Sequence, residues 1–417
     1  MSPPIVIYED DAFTNLLPLT FIRPACRLRC GIVTLWEKIA AAYPAAECVI
    51  HTRPVLAAVT REELPGVRVN KFDATTMLLI NGRLLAPGNL AELIPATGPS
   101  CAFVSRGLMV AARLSGVQCR RVAELLAAGP LPTDWPIGLD AVEVDAALIR
   151  YPWDLVRHNP AQIRSDFAWI AMGGKILGHV HRAAVLDGES NIYVAADAEV
   201  QAGAILLAGD GPIYVGPGAK VMAGACIQGP VAIGAHSLVK MQAKIYEGTT
   251  LGEYCKVGGE VEESIFQGYS NKQHDGFLGH SVLGEWINLG ADTNNSDLKN
   301  NYGNVKVMIR HEMVDSGSQF VGATIGDHTK TGINTMINTG TVIGVGCNLF
   351  GADYLPKYVP SFCWGGSAGF EEYQFEPFAA TAARVLLRRK RALSDAARAM
   401  LRSVHEVTTD ERADVMH

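Results

Sequence analysis

Two short stretches of this 417-residue chain concentrate side chains that can move protons and bind anions. They are Asn271-Lys272-Gln273-His274-Asp275 and Asp292-Thr293-Asn294-Asn295-Ser296-Asp297-Leu298-Lys299-Asn300-Asn301-Tyr302. An imidazole changes charge near neutral pH, so His274 can serve as a general base. Lys272, Lys299 and Lys306 offer cations to a phosphate. Asn288, Asn294, Asn295 and Asn300 offer donors and acceptors to hydroxyl groups. Each has a plainer reading: a loop histidine can simply bond backbone, and asparagine suits corners with positive φ. His280 ranks second among the histidines because it lies close to Leu283, where a repeat resumes.

A second constellation stands near the N-terminus. The acids Glu9-Asp10-Asp11 follow the apolar run Ile5-Val6-Ile7-Tyr8, and Arg23, Arg27, Arg29 and Arg83 come later. Asp10 and Asp11 are candidates to hold Mg²⁺, and the arginines to bind phosphate, with salt bridges as the competing explanation. The basic run Arg388-Arg389-Lys390-Arg391 is expected to be a solvated helix face rather than a polyanion site.

The elements that must position these residues are legible in a repeat. Val215, Val221, Ile227, Ile233, Val239, Ile245, Leu251 and Val257 are spaced by six without a break. The series resumes at Leu283 and Leu289, then at Ile325, Thr331, Ile337, Ile343 and Leu349. A period of six fits neither an amphipathic helix nor an alternating strand over such a span. It fits a left-handed parallel β-helix of hexapeptide repeats, three hexads to a triangular coil, in which stacked coils bury a column of aliphatic residues. Residues 258–282 and 296–320 break the register and are expected to leave the solenoid as irregular loops. The N-terminal half alternates strand-like and helix-like segments: Ile5–Tyr8, Val33–Tyr43, Glu47–Ile50 and Met77–Ile80. This predicts an α/β sandwich with a largely parallel sheet. The expected domains are 1–150, a linker with a docking helix near 160–170 over 151–184 (its start marked by Trp135-Pro136 and Tyr151-Pro152-Trp153), the solenoid over 185–368, and a C-terminal α-helical extension over 369–417 that caps the solenoid.

A net charge of −6 gives no general attraction to nucleic acid or to an anionic membrane. The apolar runs are too short for a membrane helix, and no N-terminal targeting signal is apparent. Nine cysteines, an odd number with no Cys-x-x-Cys pair, argue against a disulfide framework or zinc site and for a reducing cytoplasm.

The stretches Gly258–His280 and Gly290–Tyr302 resemble the acetyltransferase half of GlmU-type enzymes, and Asn15-Leu16-Leu17-Pro18-Leu19-Thr20-Phe21-Ile22-Arg23-Pro24 is similar to the alternative bacterial GlmU-like group of sugar nucleotidyltransferases. The resemblance covers nearly the whole chain. It implies acetyl transfer from acetyl-CoA to the amine of a hexosamine 1-phosphate, glucosamine 1-phosphate first among them. It also implies uridylyl transfer from UTP with Mg²⁺, and a homotrimer. It places His274 as the catalytic base, and it places Gly332, Asn334, Asn338 and Thr339 on coils that line acetyl-CoA. Phe277 stands where better-known relatives have tyrosine, which removes one hydroxyl from the sugar phosphate. In the N-terminal half, resemblance assigns Arg23, Asn81 and Arg83 to nucleotide binding. Yet the loop after the first strand has no glycine, Ala25 replaces the expected lysine, and Arg83 replaces the metal-binding aspartate. Either this Rossmann-like half is degenerate, or Asp10, Asp11 and the arginines form a rewired site; the losses favour the first. Two further alternatives stay open: nucleotidyl transfer only, or a non-catalytic trimeric scaffold that binds a sugar nucleotide.

Overall fold

The computed structural model describes residues 2–71, 75–133, 138–170 and 173–416; Trp135-Pro136 lies outside them. Apolar β-branched and leucine-rich runs build a seven-stranded sheet in the N-terminal half. Its spatial order is Arg68–Val69, Cys48–Ile50, Ile5–Tyr8, Thr76–Asn81, Leu108–Ser115, Cys101–Ser105, Ala141–Glu143. The first four are mutually parallel, and Leu108–Ser115 runs antiparallel to both of its neighbours. Helices Leu35–Ala42, Pro54–Glu63 and Val117–Ala128 accompany it. Thr34 and Glu37 form a capping box that starts the first of these.

The C-terminal half is a three-sided solenoid of parallel strands. One face stacks His179–Val180 up to Asn271–Lys272, the second stacks Val185–Asp187 up to Phe277–Gly279, and the third stacks Ile192–Val194 up to Tyr358–Val359. All eight aliphatics of the unbroken hexad series are at most 1% exposed, as the period requires. Each such side chain contributes ~1.5–3 kcal/mol when buried.

The two expected excursions differ. Residues 258–282 never leave the solenoid: Val257 pairs with Lys272, Val261 with Leu278 and Phe266 with Leu283 in continuous register. The hexad reading failed there because two corners are shortened, so inward positions fall four and five residues apart at Val257, Val261 and Phe266. Residues 296–322 do leave it. They form the antiparallel hairpin Lys306–Ile309/Glu312–Asp315, whose Val305, Val307 and Ile309 pack with Trp153 and Val342.

The docking helix is longer than expected, spanning Pro152–Ile170. Its Asn159 accepts from Gly31 N (2.6 Å) and donates to Gly248 O (2.7 Å), joining the two halves of the chain. Leu16, Leu19, Leu28 and Cys30 pack with Leu155, Ile265 and Val282 in the same seam. The C-terminal extension begins with a β-hairpin, Cys363–Gly366/Gly369–Glu372, that closes one face of the solenoid. Helices Phe375–Leu387 and Asp395–Val407 then lie along the flank, between the solenoid and Leu56 and Val59 of the N-terminal half. Capping is shared: the hairpin closes one face, and the end of the extension reaches the last coil, where Val415 packs against the solenoid core and Tyr358 donates to Glu411.

The corner between the third and first faces carries a ladder of rings. His236, Tyr254, Tyr269, Trp286 and His328 stack in succession, with centroids 4.8, 5.2, 4.3 and 6.2 Å apart. All five have positive φ, between 52° and 62°. Gly346 occupies the next corner, with φ +70°, where a Cβ would lie 2.9 Å from the rings of Phe362 and Phe378. Phe378 of the flanking helix fills that missing step, edge-on to His328 and Phe362. Burial pushes the His328 imidazole down to about 3, so it stacks as a neutral ring.

Candidate functional site

His274 lies in the turn between Asn271–Lys272 and Phe277–Gly279, at the corner between the first and second faces. It is exposed and lines an open recess of about 390 Å³ together with Lys240, Met241, Gln273, Asp275, Ala291 and Asp292. Lys240, Gly258 and Ala291 come from the coils stacked on either side. Sequence reasoning missed Lys240, Asp275 and Asp292 as neighbours of His274. The one signal that points to Lys240 and Asp292 is the coil repeat of 17–18 residues that superimposes successive corners.

Lys272 is not a surface cation. It takes an inward position in the column, is 1% exposed, and donates to Gly258 O and His274 O, both at 3.0 Å. Burial pulls its ammonium down to about 8, against the opposing pull of Asp275, Asp292 and Glu260. An inward Lys272 braces the His274 turn from beneath and cannot reach a sugar phosphate. Asn295 is likewise buried between coils, accepting from Gly279 N (2.8 Å) and donating to Gly279 O (3.0 Å). Asn294 is exposed and accepts from Phe277 N at 2.7 Å. Lys299, which donates to Asn304 O at 2.9 Å, Asn300 and Lys306 ride on the 296–322 arm. Asn288 faces out of the first face, beside Asn271 and Lys330. None of these seven lines the His274 recess in the single chain.

The four residues assigned to the cofactor also divide. Gly332 and Asn334 sit on the same corner as His274, one coil beyond Ala291, whose carbonyl accepts from Asn334 N at 2.8 Å. Asn338 and Thr339 turn the next corner, where Thr339 is buried against Ser296 (2.9 Å).

His280, at the corner between the second and third faces, meets two carboxylates. Its Nδ1 lies 2.8 Å from Asp297 and its Nε2 lies 3.5 Å from Glu263, with Phe320 stacked on the ring at 5.1 Å. Burial alone would lower its pKa, but the hydrogen bond to Asp297 and the charges of Glu263 and Asp297 hold it above the ordinary value. Asp297 and Phe320 belong to the two ends of the 296–322 arm, so His280 pins the arm to the coil.

In open α/β sheets the ligand crevice lies at the carboxyl ends of strands where the strand order reverses. Here that place is between Ile5–Tyr8 and Thr76–Asn81, and it is filled. Arg83, 2% exposed, donates to both oxygens of the 2%-exposed Asp10 (Nε 2.8 Å) and to Ile149 O at 2.7 Å. Asn81 adds a third bond to Asp10, at 2.8 Å. Arg53 closes on Glu9 (3.2 Å) beside them. Arg23 does not point into this crevice; it crosses to the solenoid and pairs with Asp327 and, at 3.5 Å, with Glu285. Arg27 pairs with Glu63, and Arg29 with Glu253 at 2.8 Å. In this structure buried ion pairs engage Arg23, Arg83 and Asp10, and Asn81 is hydrogen-bonded to Asp10, which disfavours the expected nucleotide roles of Arg23, Asn81 and Arg83 and the metal role of Asp10. Exposed Asp11 accepts from Thr133 N at 3.1 Å, and Asp10 and Asp11 do not fit a Mg²⁺ site. Among the described residues, no group of three or more His, Cys, Asp or Glu is placed to hold a metal ion, the nine cysteines are unbridged, and no helix is long and apolar enough to cross a membrane.

Residues 5–175 match the family described as sugar nucleotidyl transferase. A bifunctional sugar-1-phosphate nucleotidylyltransferase/acetyltransferase of Sulfurisphaera tokodaii is 36% identical over 104 residues, 24% of this chain and 26% of that protein. A bifunctional protein GlmU of Methanococcus aeolicus is also 36% identical over 104 residues, 24% of this chain and 25% of its own. The match thus spans about a quarter of the length of these relatives. Among solved structures, a UDP-N-acetylglucosamine acyltransferase from Campylobacter jejuni aligns with 57% of this chain and 96% of its own at 17% identity and a TM-score of 0.33. The N-terminal sheet is thus similar to sugar nucleotidyl transferases, and about a quarter of the chain is similar to bifunctional GlmU-type proteins.

Proposed function

We propose that the solenoid is an N-acetyltransferase that moves acetyl from acetyl-CoA to the amine of a hexosamine 1-phosphate, with glucosamine 1-phosphate first among the candidates. One observation carries this reading: the N-terminal crevice is filled by its own ion pairs, while His274 stands in an open recess. In the reaction the amine nitrogen attacks the thioester carbonyl, the C–S bond breaks, and CoA leaves as its thiol. His274 takes the proton that the amine loses and returns it to the departing sulfur. Lys272 positions the His274 turn without touching substrate. Gly332 and Asn334 continue the same corner and suit the pantetheine arm.

A second copy completes this site in the proposal. Met241 and Ile333, 61% and 68% exposed, flank His274 along its corner, and apolar side chains in such a ridge favour cover by a neighbouring solenoid. A homotrimer would supply it, and Lys299, Asn300 and Lys306 on the arm of the next chain would then meet the sugar phosphate. Uridylyl transfer is proposed to be lost, the sheet being kept as a partner of the solenoid. Nine unbridged cysteines and the use of acetyl-CoA accord with a cytoplasmic setting.

The deciding experiment is acetyl transfer to glucosamine 1-phosphate by the parent and by His274→Ala. The variant should lose ~10²–10⁴ in kcat, with the KM for acetyl-CoA nearly unchanged, the pattern of a lost general base. A variant working at close to the parent rate overturns the assignment, and His280→Ala is then the comparison to make.

A further inference from the structure

The first face of the solenoid carries a row of outward side chains that the reaction above does not use. Lys256 pairs in register with Asn271, Asn271 with Asn288, and Asn288 with Lys330, each one strand further along. Adjacent strands lie ~4.8 Å apart, so the row reads Lys-Asn-Asn-Lys over about three strand spacings. Over this row hangs the end of helix Phe375–Leu387, with the basic run that follows it. Arg388 and Arg389 face Asn271, Asn288 and Lys330 across a pocket of about 230 Å³, with Tyr269 and Trp286 of the ring ladder at its side. Arg389 is tied in place by a hydrogen bond to Asn271 Oδ1 (3.3 Å). Arg391 lies 5.2 Å from the Tyr269 ring centroid.

Lys256, Lys330, Arg388 and Arg389 form no ion pair with a carboxylate among the described residues, whereas Arg391 faces Glu63. The acids that approach the ladder are taken by the other half of the chain: Glu253 by Arg29 at 2.8 Å, and Glu285 by Arg23 at 3.5 Å. Lys330 is largely buried, and its ammonium donates only to His328 O (2.9 Å), which leaves two N–H groups unused. Desolvation pulls it down to about 8. Lys256 is lowered as well, by burial and then by Arg389, Arg388 and Lys240. The helix C-terminus behind Arg388 offsets part of one positive charge; the two lysines have no such relief. A protein of net charge −6 has acids to spare, yet three cations and two amides line this pocket, with Lys256 next in the row, and no acid lines it. Like charges held together in a part-buried pocket are stabilised when an anion joins them.

We infer that this pocket is a binding site for a phosphate-class anion, a phosphate monoester or a diphosphate group, separate from the His274 recess. No residue lines both cavities. The volume falls below the ~300–1,000 Å³ common for whole small-molecule ligands, so the pocket suits a phosphorylated end rather than an entire nucleotide. Arginine forks and the Asn271 and Asn288 amides match phosphate oxygens, and ring edges of Tyr269 and Trp286 suit the carbon skeleton that bears the phosphate.

The test is calorimetric titration of the full chain with inorganic diphosphate at constant ionic strength, with chloride as the control anion. The parent should bind diphosphate. Arg388→Gln/Arg389→Gln and, separately, Lys330→Met should each weaken binding at least ~10-fold, the equivalent of one lost charge-assisted hydrogen bond. Lys330→Met should melt at or above the parent temperature without the anion, because it removes an unpaired buried charge. This separates loss of a ligand from loss of the fold. Competition identifies the source of the phosphate: displacement by CoA but not by dephospho-CoA points to a ribose phosphate, and displacement by glucosamine 1-phosphate points to a sugar phosphate. Diphosphate that binds no better than chloride, or that binds all three proteins alike, overturns the proposal.

Discussion

Two groups of basic residues show how little an arginine's neighbours in sequence say about its role. In the N-terminal crevice and its seam, Arg23, Arg27, Arg29, Arg53 and Arg83 each meet a carboxylate. On the first face of the solenoid, Lys256, Lys330, Arg388 and Arg389 meet none among the described residues. The crevice arginines have the residue types of a phosphate site and are a set of struts. The second group includes part of a run that reads as a solvated helix face: Arg388, Lys390 and Arg391 are exposed as that reading requires, and Arg388 and Arg389 also line a pocket. What separates them is tertiary: acids from distant parts of the chain, such as Asp327 for Arg23, are brought to one group and kept from the other.

The comparison can be broken most forcefully at Arg83. Arg83→Met strands the Asp10 carboxylate in a buried site and should cost ~3–5 kcal/mol in urea unfolding. A loss below about 1 kcal/mol would mean that Asp10 finds water and that the crevice is open. Arg83→Met combined with Asp10→Leu should recover most of that loss, since an apolar pair needs no partner. Uridylyl transfer sharpens the same point. With UTP, Mg²⁺ and N-acetylglucosamine 1-phosphate, pyrophosphate release should stay at background; robust release abolished by Asp10→Asn would show a working, rewired crevice.

A smaller effect is expected at His280. Its pKa is raised in the folded state above the ~6.5 of the unfolded chain, so its contribution is fully present below that value and fades as pH rises through the folded value. Melting at pH 6 and pH 8.5 should show a loss of up to about 1 kcal/mol on the alkaline side that His280→Gln abolishes. Protease cleavage within the 296–322 arm should rise over the same range. The smallest effect belongs to the basic run: without an anion, Arg388→Gln should change stability by no more than ~0.5 kcal/mol, as for a surface position.

The solenoid was legible because its cause is periodic. Val215 to Val257 need only a buried column and a corner every six residues, and both are visible in one dimension. The strands Ile5–Tyr8 and Thr76–Asn81 were legible for a similar reason, being apolar throughout. The site was legible only in part. His274 could be named from its motif, but Lys272, two residues earlier, is the last, inward-facing residue of its strand while His274 lies in the turn that follows, and the shortened corners hid that phase. The filling of the crevice was invisible for another reason: Asp10 and Arg83 are 73 residues apart, and no local pattern links them.

The ring ladder has a consequence for how such a chain can change length. At the corner between the second and third faces an entire arm, 296–322, has been let in while the strands on either side keep register, Val282 pairing with Thr324. The ladder corner has no such freedom. Each of its five ring-bearing residues is held in the left-handed region, the inner three rings are stacked on rings above and below, and the step at Gly346 is filled from a helix. A peptide inserted beside Tyr269 would separate Tyr254 from Trp286 and unseat Arg391, whereas one inserted after Glu263 would meet solvent. The three corners are thus unequal as grafting sites: one has already accepted new sequence, one bears the proposed chemistry, and one is a spine that fixes how every other coil is stacked.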